Sequence, residues 1–378
     1  MQRAPAAPGQ TYAEIDTPAL ILDLDAYERN LDRMAAFAKR GGVRVRPHAK
    51  THKSPDIGRD QIAWGAVGLC CQKVSEAEVL ADGGIADILV SNEVAGARKL
   101  ARLAALARRV RLSVCCDDPD NVAELQAAAA EAGSRIHVLV EIDVGGRRCG
   151  IAPGADAARL ARSIADSANL AFDGLQAYHG SAQHLRTQSE RRAAIGEAVA
   201  AVEITQAELK RLGLSARTIG GAGTGTFEIE TASGVYNELQ PGSYVFMDAD
   251  YARNSGAGGA PFDTFEHALF VLATVMSAPV PERRVLDAGH KSIPIDSGMP
   301  TPWQLPGALY HRPSDEHGVL DVSKCMSPPK RGARVLLVPG HCDPTVNLHD
   351  WYVGVRGLGT PGAKVEKVFP VAARGAVF

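Results

Sequence analysis

The 378-residue sequence has no apolar run of the roughly 18–20 residues that a membrane span needs. Its formal net charge is −2, so no field of one sign draws it toward nucleic acid or an anionic membrane. Helix-turn-helix and zinc-finger spacings are missing, and so is any CxxC pair. Neither nucleic acid nor membrane is therefore expected as a partner. The opening residues, MQRAPAAPGQTYAEIDTP, lack the apolar stretch of a signal peptide and read as a loose arm. The material for a disulfide framework is thin as well. The seven cysteines are odd in number, and the pairs Cys70–Cys71 and Cys115–Cys116 lie inside apolar runs. Reduced core thiols of a cytoplasmic protein fit that pattern better.

What is present is ordinary globular material, 46% hydrophobic and 22% charged, enough for a sizeable core. Strand-like runs occupy 43–50, 66–72, 86–92, 111–117, 136–143, 170–180, 216–223 and, less cleanly, 238–248. Amphipathic stretches such as EVAGARKLARLAALARR lie between them, with apolar residues at i, i+3 and i+4. Eight such units predict a (β/α)8 TIM barrel, with a doubly wound open sheet as the alternative. After about residue 260 the texture changes to strands broken by Gly and Pro, which predicts a second, all-β domain. TPALILDLDAYERN, at 17–30, reads as a strand entering a helix, and its strand is expected to join that second domain.

The first barrel strand, VRVRPHAK, alternates. Val43, Val45, Pro47 and Ala49 share one side, and Arg44, Arg46, His48 and Lys50 share the other. The apolar side suits the outer helices, which turns Lys50 inward at the strand's C-terminal end, where barrel enzymes place their active sites. Desolvation there lowers a lysine pKa and makes the amine a nucleophile for a carbonyl. The competing reading is a basic strand end on the surface. Lys53 lies beyond the strand and is expected in solvent, and Pro47 is expected to mark a bulge.

IGGAGTGTF follows the seventh run. Its small residues let backbone N–H groups approach an anion, and Thr224 and Thr226 add hydroxyls. QPGSY supplies a second small-residue turn by the eighth run. A tight turn is the plainer explanation of either. Their place opposite Lys50 instead suggests a phosphate site, and lysine plus phosphate suggests pyridoxal phosphate held as a Schiff base. In PGHCDPT, an extended backbone would put His341 and Asp343 on one side and Cys342 on the other. Nitrogen plus carboxylate suits manganese, magnesium or cobalt ahead of zinc. A turn with a hydrogen-bonded aspartate is the simpler alternative. Arg148, Tyr178, His184 and Gln72 stand at or after strand ends of the same face, where substrate or cofactor would lie.

Together these segments resemble the metal-dependent D-threonine aldolase family, a branch of the alanine-racemase-like fold of pyridoxal phosphate enzymes. TPALILDLDAYERN, RPHAKTHKS, GLCCQKVSEAEVLADGG, EIDVGGRRCGI, QAYHGSAQH, GGAGTGTF, YNELQPGSYVFMDADY and HCDPTVNLHDWYVGVR carry the likeness, in order along nearly the whole chain. The resemblance implies a barrel over 25–260, and a β-domain built from 1–24 and 261–378 that carries the metal. It makes Lys50 the cofactor lysine, His184 the general base for the β-hydroxyl, and His341 and Asp343 the metal ligands. Arg148 and Tyr178 would line the cofactor, while Thr224, Gly225, Thr226, Gly242 and Ser243 would hold its phosphate. Gln72 and His184 would meet a D-3-hydroxy-amino acid substrate. The implied reaction is cleavage to glycine and an aldehyde. The alternative is a D-serine or 3-hydroxyaspartate dehydratase, whose metal pair looks like H-x-C. A homodimer is expected by analogy with the fold.

Overall fold

Residues 3–378 are described by a computed structural model, so the first two residues of the arm lie outside the description. The remaining arm is not loose. The Gly9 N–H donates to Val365 O at 2.8 Å, and Val365 N–H donates back to Gln10 O at 2.9 Å. An extended polar segment beside an open strand edge finds ladder partners there.

Strand β1 (Ala19–Asp23) is buried throughout and runs straight into α1 (Leu24–Gly41). The Asp23 carboxylate accepts from the N–H groups of Asp25 and Ala26, and Gly42, at φ 62°, ends the helix in the left-handed region. Strand and helix then alternate: β2 (Arg44–Val45), α2 (Pro55–Ala63), β3 (Leu69–Cys71), α3 (Val74–Asp82), β4 (Asp87–Val90), α4 (Ala97–Leu106), β5 (Arg111–Cys116) and α5 (Pro119–Ala132). Next come β6 (Ile136–Glu141), α6 (Ala155–Ala165), β7 (Leu170–Gln176), α7 (Gln188–Arg211), β8 (Thr218–Gly221), α8 (Phe227–Ser233) and β9 (Glu238–Leu239). Strands β2 to β9 form one parallel sheet, with β2 beside β9. A parallel bridge from His48 to Cys70 joins β2 to β3 and closes the barrel. All eight expected strands are present. Pro47 cuts the first one short, because it has no N–H to give. Its carbonyl still accepts from Cys70 N–H at 2.9 Å, so closure survives without a bulge.

The barrel interior is polar at one end and apolar above it. Arg46 donates to Glu238 at 2.8 Å and to Asp87 at 2.7 Å, and Arg111 donates to Asp173 at 2.8 Å. Cys70, Leu89, Cys115 and Leu139, from four consecutive strands, make a small apolar layer. Cys71 and Cys116 point outward into the helix-facing core, so each adjacent cysteine pair straddles its strand. All seven thiols are free.

The second sheet is mixed and has nine strands: β1 together with β10 (Leu269–Val280), β11 (Arg283–Leu286), β12 (Thr301–Pro302), β13 (Leu309–Pro313), β14 (Gly318–Asp321), β15 (Arg334–Val338), β16 (Trp351–Arg356) and β17 (Lys364–Pro370). Strand β1 lies inside it, antiparallel to β10 and parallel to β16. One apolar core runs from this sheet, through Leu269, Val271 and Tyr352, to Tyr27, Leu31, Phe227 and Tyr244 on the barrel side. Among the described residues, no helix is long and apolar enough to cross a membrane.

Candidate active site

Lys50 sits in the turn just beyond β2, and its side chain enters a cavity of about 330 Å³ at the C-terminal mouth of the barrel. Glu141, Arg148, Tyr178, Ser181 and His184 share that cavity. The Lys50 N–H donates to His48 Nδ1 at 3.3 Å, and its Nζ lies 3.8 Å from Asp343 Oδ2 across the gap to the second sheet. Burial pulls the Lys50 amine down, but the Asp343 carboxylate and the Tyr178 phenol outweigh it, and the net shift is upward. The lowering expected of an enclosed lysine is thus reversed by an acidic neighbour that lies 293 residues away in the chain. Lys53 departs from expectation too. It is buried, and its Nζ donates to Glu76 Oε1 at 2.6 Å.

Arg148 and Tyr178 stand together, the guanidinium 5.8 Å from the ring centroid, with Glu141 Oε1 3.9 Å from Arg148 Nη2. Glu141 is pushed up to about 8, first by burial and then by Glu93. Beside it, the donor atoms of Glu93, Asp117 and Cys149 lie within 4.8 Å of one another. Gln72 is elsewhere in the mouth. Its amide is hydrogen-bonded to His48 Nε2 at 2.8 Å and to Ser91 Oγ at 3.3 Å.

His184 ends a short 3-10 turn, and its Nδ1 is 2.5 Å from Asp250 Oδ2. Burial pushes the Asp250 carboxyl up, but hydrogen bonds from Arg186 and His184 outweigh it and keep it below its ordinary value. Arg253 donates to the same carboxylate. With Nδ1 engaged, Nε2 is the histidine nitrogen left for a substrate. Asp250 was not among the expected site residues. It lies 66 residues from His184, and only its place in the segment YVFMDADY hinted at a role.

His341 and Asp343 do not lie on an extended strand. Gly340 leaves β15, His341 caps a five-residue helix, α9 (Cys342–Val346), and Asp343 falls in its first turn. Pro344 explains this, since proline suits a helix's first turn and cannot donate to a ladder. Burial lowers His341, yet Asp343 and a hydrogen bond with Asp296 outweigh it, so the net direction is up. His341 Nδ1 is 2.7 Å from Asp296 Oδ2, which leaves Nε2 as its donor atom toward an ion. Cys342 is fully buried in the shared core. Its Sγ nonetheless comes within 3.5 Å of Asp343 Oδ1.

The two small-residue loops leave neighbouring strands β8 and β9. A Cβ on Gly225 would come within 2.6 Å of Gln183 O, and one on Gly242 within 2.4 Å of Thr51 Oγ1. The hydroxyls of Thr224 and Thr51 are buried and have no hydrogen-bond partner. Two orphaned donors on or beside loops whose glycines permit close approach fit a phosphate. Thr226 differs, because its hydroxyl already donates to Glu230 at 2.7 Å and accepts from Gln183 at 2.8 Å. Ser243 is buried at the start of a 3-10 turn.

The alanine racemase N-terminal domain family matches residues 22–250, and the serine dehydratase domain family matches 268–355. A D-threonine aldolase from Arthrobacter sp. is 48% identical, over 98% of this chain and 96% of its own. A 3-hydroxy-D-aspartate aldolase from Paracoccus denitrificans is 47% identical, over 98% and 95%. The crystal structure of D-threonine aldolase from Filomicrobium marinum superposes with a TM-score of 0.96, at 54% identity over 99% of this chain and 100% of that one.

Proposed function

The chain belongs to the D-threonine aldolase family, on an alanine-racemase-like fold, and from that premise we propose how its residues divide the cleavage of a D-3-hydroxy-amino acid into glycine and an aldehyde. It is an aldehyde-lyase of small hydroxy-amino acids. The observation that supports the division is the meeting of Lys50, from the barrel mouth, with Asp343, from α9 beyond β15, 3.8 Å apart beside the cavity that His184 lines.

Lys50 would hold pyridoxal phosphate covalently, with Thr224, Gly225, Gly242 and Ser243 around its phosphate and Arg148 and Tyr178 along its ring. Thr226 would brace that cradle through Gln183 and Glu230. When bound, the cofactor supplies the electron sink that makes a carbanion at Cα accessible. His341 Nε2 and Asp343 would hold a divalent ion, manganese before magnesium or cobalt and zinc last, whose charge makes a nearby hydroxyl more acidic. His184 Nε2 takes the β-hydroxyl proton. Asp250 fixes the imidazole's orientation through Nδ1 and stabilises the cation that results. The two arginines on Asp250 keep it ionised for that task. Gln72 would act through His48, to which its amide is bonded. The free thiols suit a reducing compartment, the cytoplasm.

The dehydratase reading is favoured by the match of residues 268–355 to that family. Product analysis decides between them. Incubation of the holoenzyme with D-threonine and with D-3-hydroxyaspartate should yield glycine plus an aldehyde. Chelator should stop the reaction and manganese should restore it. Ammonia and a 2-oxo acid as the main products would overturn the aldolase assignment.

A further inference from the structure

Lys53 takes no part in the chemistry above, yet three parts of the molecule converge on it. Its Nζ donates to Glu76 Oε1 at 2.6 Å and to Ala376 O at 3.4 Å, and its carbonyl accepts from Ala373 N–H at 2.9 Å. Glu76, in the first turn of α3, uses its other oxygen to accept from Gln72 N–H at 2.9 Å and Lys73 N–H at 3.0 Å. The Gln72 side chain holds the His48 ring, and that ring accepts from Lys50 N–H. The turn that displays Lys50 is therefore tied to one carboxylate at both ends, through Gln72 and His48 at its start and through Lys53 at its finish.

Two further features point the same way. Lys53 has a left-handed backbone, φ 48°, and its N–H returns to Ala49 O at 2.7 Å. A β-carbon-bearing residue holds that conformation only when its surroundings demand it. The chain's last residues also close over this corner. Ser75 N–H donates to Phe378 O at 3.0 Å, and the Arg102 guanidinium lies 5.1 Å from the Phe378 ring centroid. The Lys53–Glu76 side chains are 10% and 4% exposed. A pair so buried adds little stability over apolar residues of the same shape, so what it supplies is geometry.

We propose that Lys53 is a positioning residue for Lys50: with Glu76 it fixes the Ala49–Lys53 turn so that the Lys50 amine is aimed into the cavity. The inference rests on Lys50 as the cofactor lysine. Misplacement of a reacting group by about 1 Å costs on the order of 10²-fold in rate. Lys53→Met should therefore slow the appearance of a borohydride-stable pyridoxal adduct at Lys50 by about 10- to 100-fold when cofactor is added back, read by mass spectrometry of the peptide. It should lower kcat to a similar degree and leave KM nearly unchanged. Lys53→Arg, which can still reach Glu76, should recover most of both. Adduct formation at the parent rate in Lys53→Met overturns the proposal, and so does a Lys53→Arg variant no better than Lys53→Met. Lys50→Ala separates the two levels. Loss of the adduct there, with parent-like Lys53→Met, sinks the positioning role alone. An adduct that survives in Lys50→Ala sinks the lysine assignment and the proposal with it. Should Lys53→Met not fold, Glu76→Gln carries the same test, since it removes the charge and keeps the shape.

Discussion

The two ends of the barrel treat their polar groups in opposite ways. At the N-terminal end, Arg44 and Arg46 meet Glu238, Arg46 and Arg111 meet Asp87, and Arg111 meets Asp173, all within 3.4 Å. At the C-terminal end, the hydroxyls of Thr51 and Thr224 have no partner, and the nearest opposite charge to Lys50 stands at 3.8 Å. One end pairs its charges with one another, and the other leaves hydroxyls without a partner. Buried groups left open cost stability, so they persist where something else satisfies them. On the roles proposed above, folding and chemistry draw on different ends of one barrel.

The contrast can be broken from either side. Lys50→Ala should abolish the borohydride-stable adduct and lower turnover by more than about 10³-fold, as loss of a covalent group does, with thermal unfolding near that of the parent. A large fall in melting temperature would mean that the mouth also carries the fold. His184→Ala should keep the bound-cofactor absorbance and lose roughly 10²–10⁴-fold in turnover. Turnover within a few-fold of the parent would remove His184 from the role of base. Arg46→Met attacks the other end. It leaves Glu238 buried without its closest cation and should cost about 3–5 kcal/mol in denaturant unfolding, while the folded fraction still forms the adduct at Lys50. The smallest effect is expected of Thr224→Val, which keeps the shape and deletes one orphaned hydroxyl. Cofactor affinity should drop about tenfold, the scale of one hydrogen bond to a charged group, and stability should hold or rise. Unchanged affinity, measured by cofactor titration, would take Thr224 out of the cradle.

The same divide explains what could be read from the chain beforehand. Barrel strands such as RLSVCC and IHVLVE are buried on both faces, so each shows as an apolar run between helical stretches, and all eight were legible. The alternation in VRVRPHAK placed Arg46 and His48 inside, because side-chain direction in a strand is a local property. What stayed hidden was set by distant partners. Glu76 buries Lys53 from 23 residues away, Asp250 orients His184 from 66, and Asp296 holds His341 from 45. No local pattern announces such pairs. The α9 turn is a different case. Pro344 stands in the sequence itself, and a proline in HCDPT argues against an extended backbone.

The place of β1 bears on how the molecule is made. Ala19 pairs with Leu272, and Leu20 with Tyr352, so a strand made before the barrel lies between two made after it. Until Leu269 and the residues after it are made, ALILD lacks both of the strands it pairs with. Synthesis that stalls before Leu269 leaves a barrel tethered to a sticky ribbon, the kind of edge on which nascent chains join one another. The second sheet is therefore finished only after the barrel has been made, and the pairing of Lys50 with Asp343 has to wait for it.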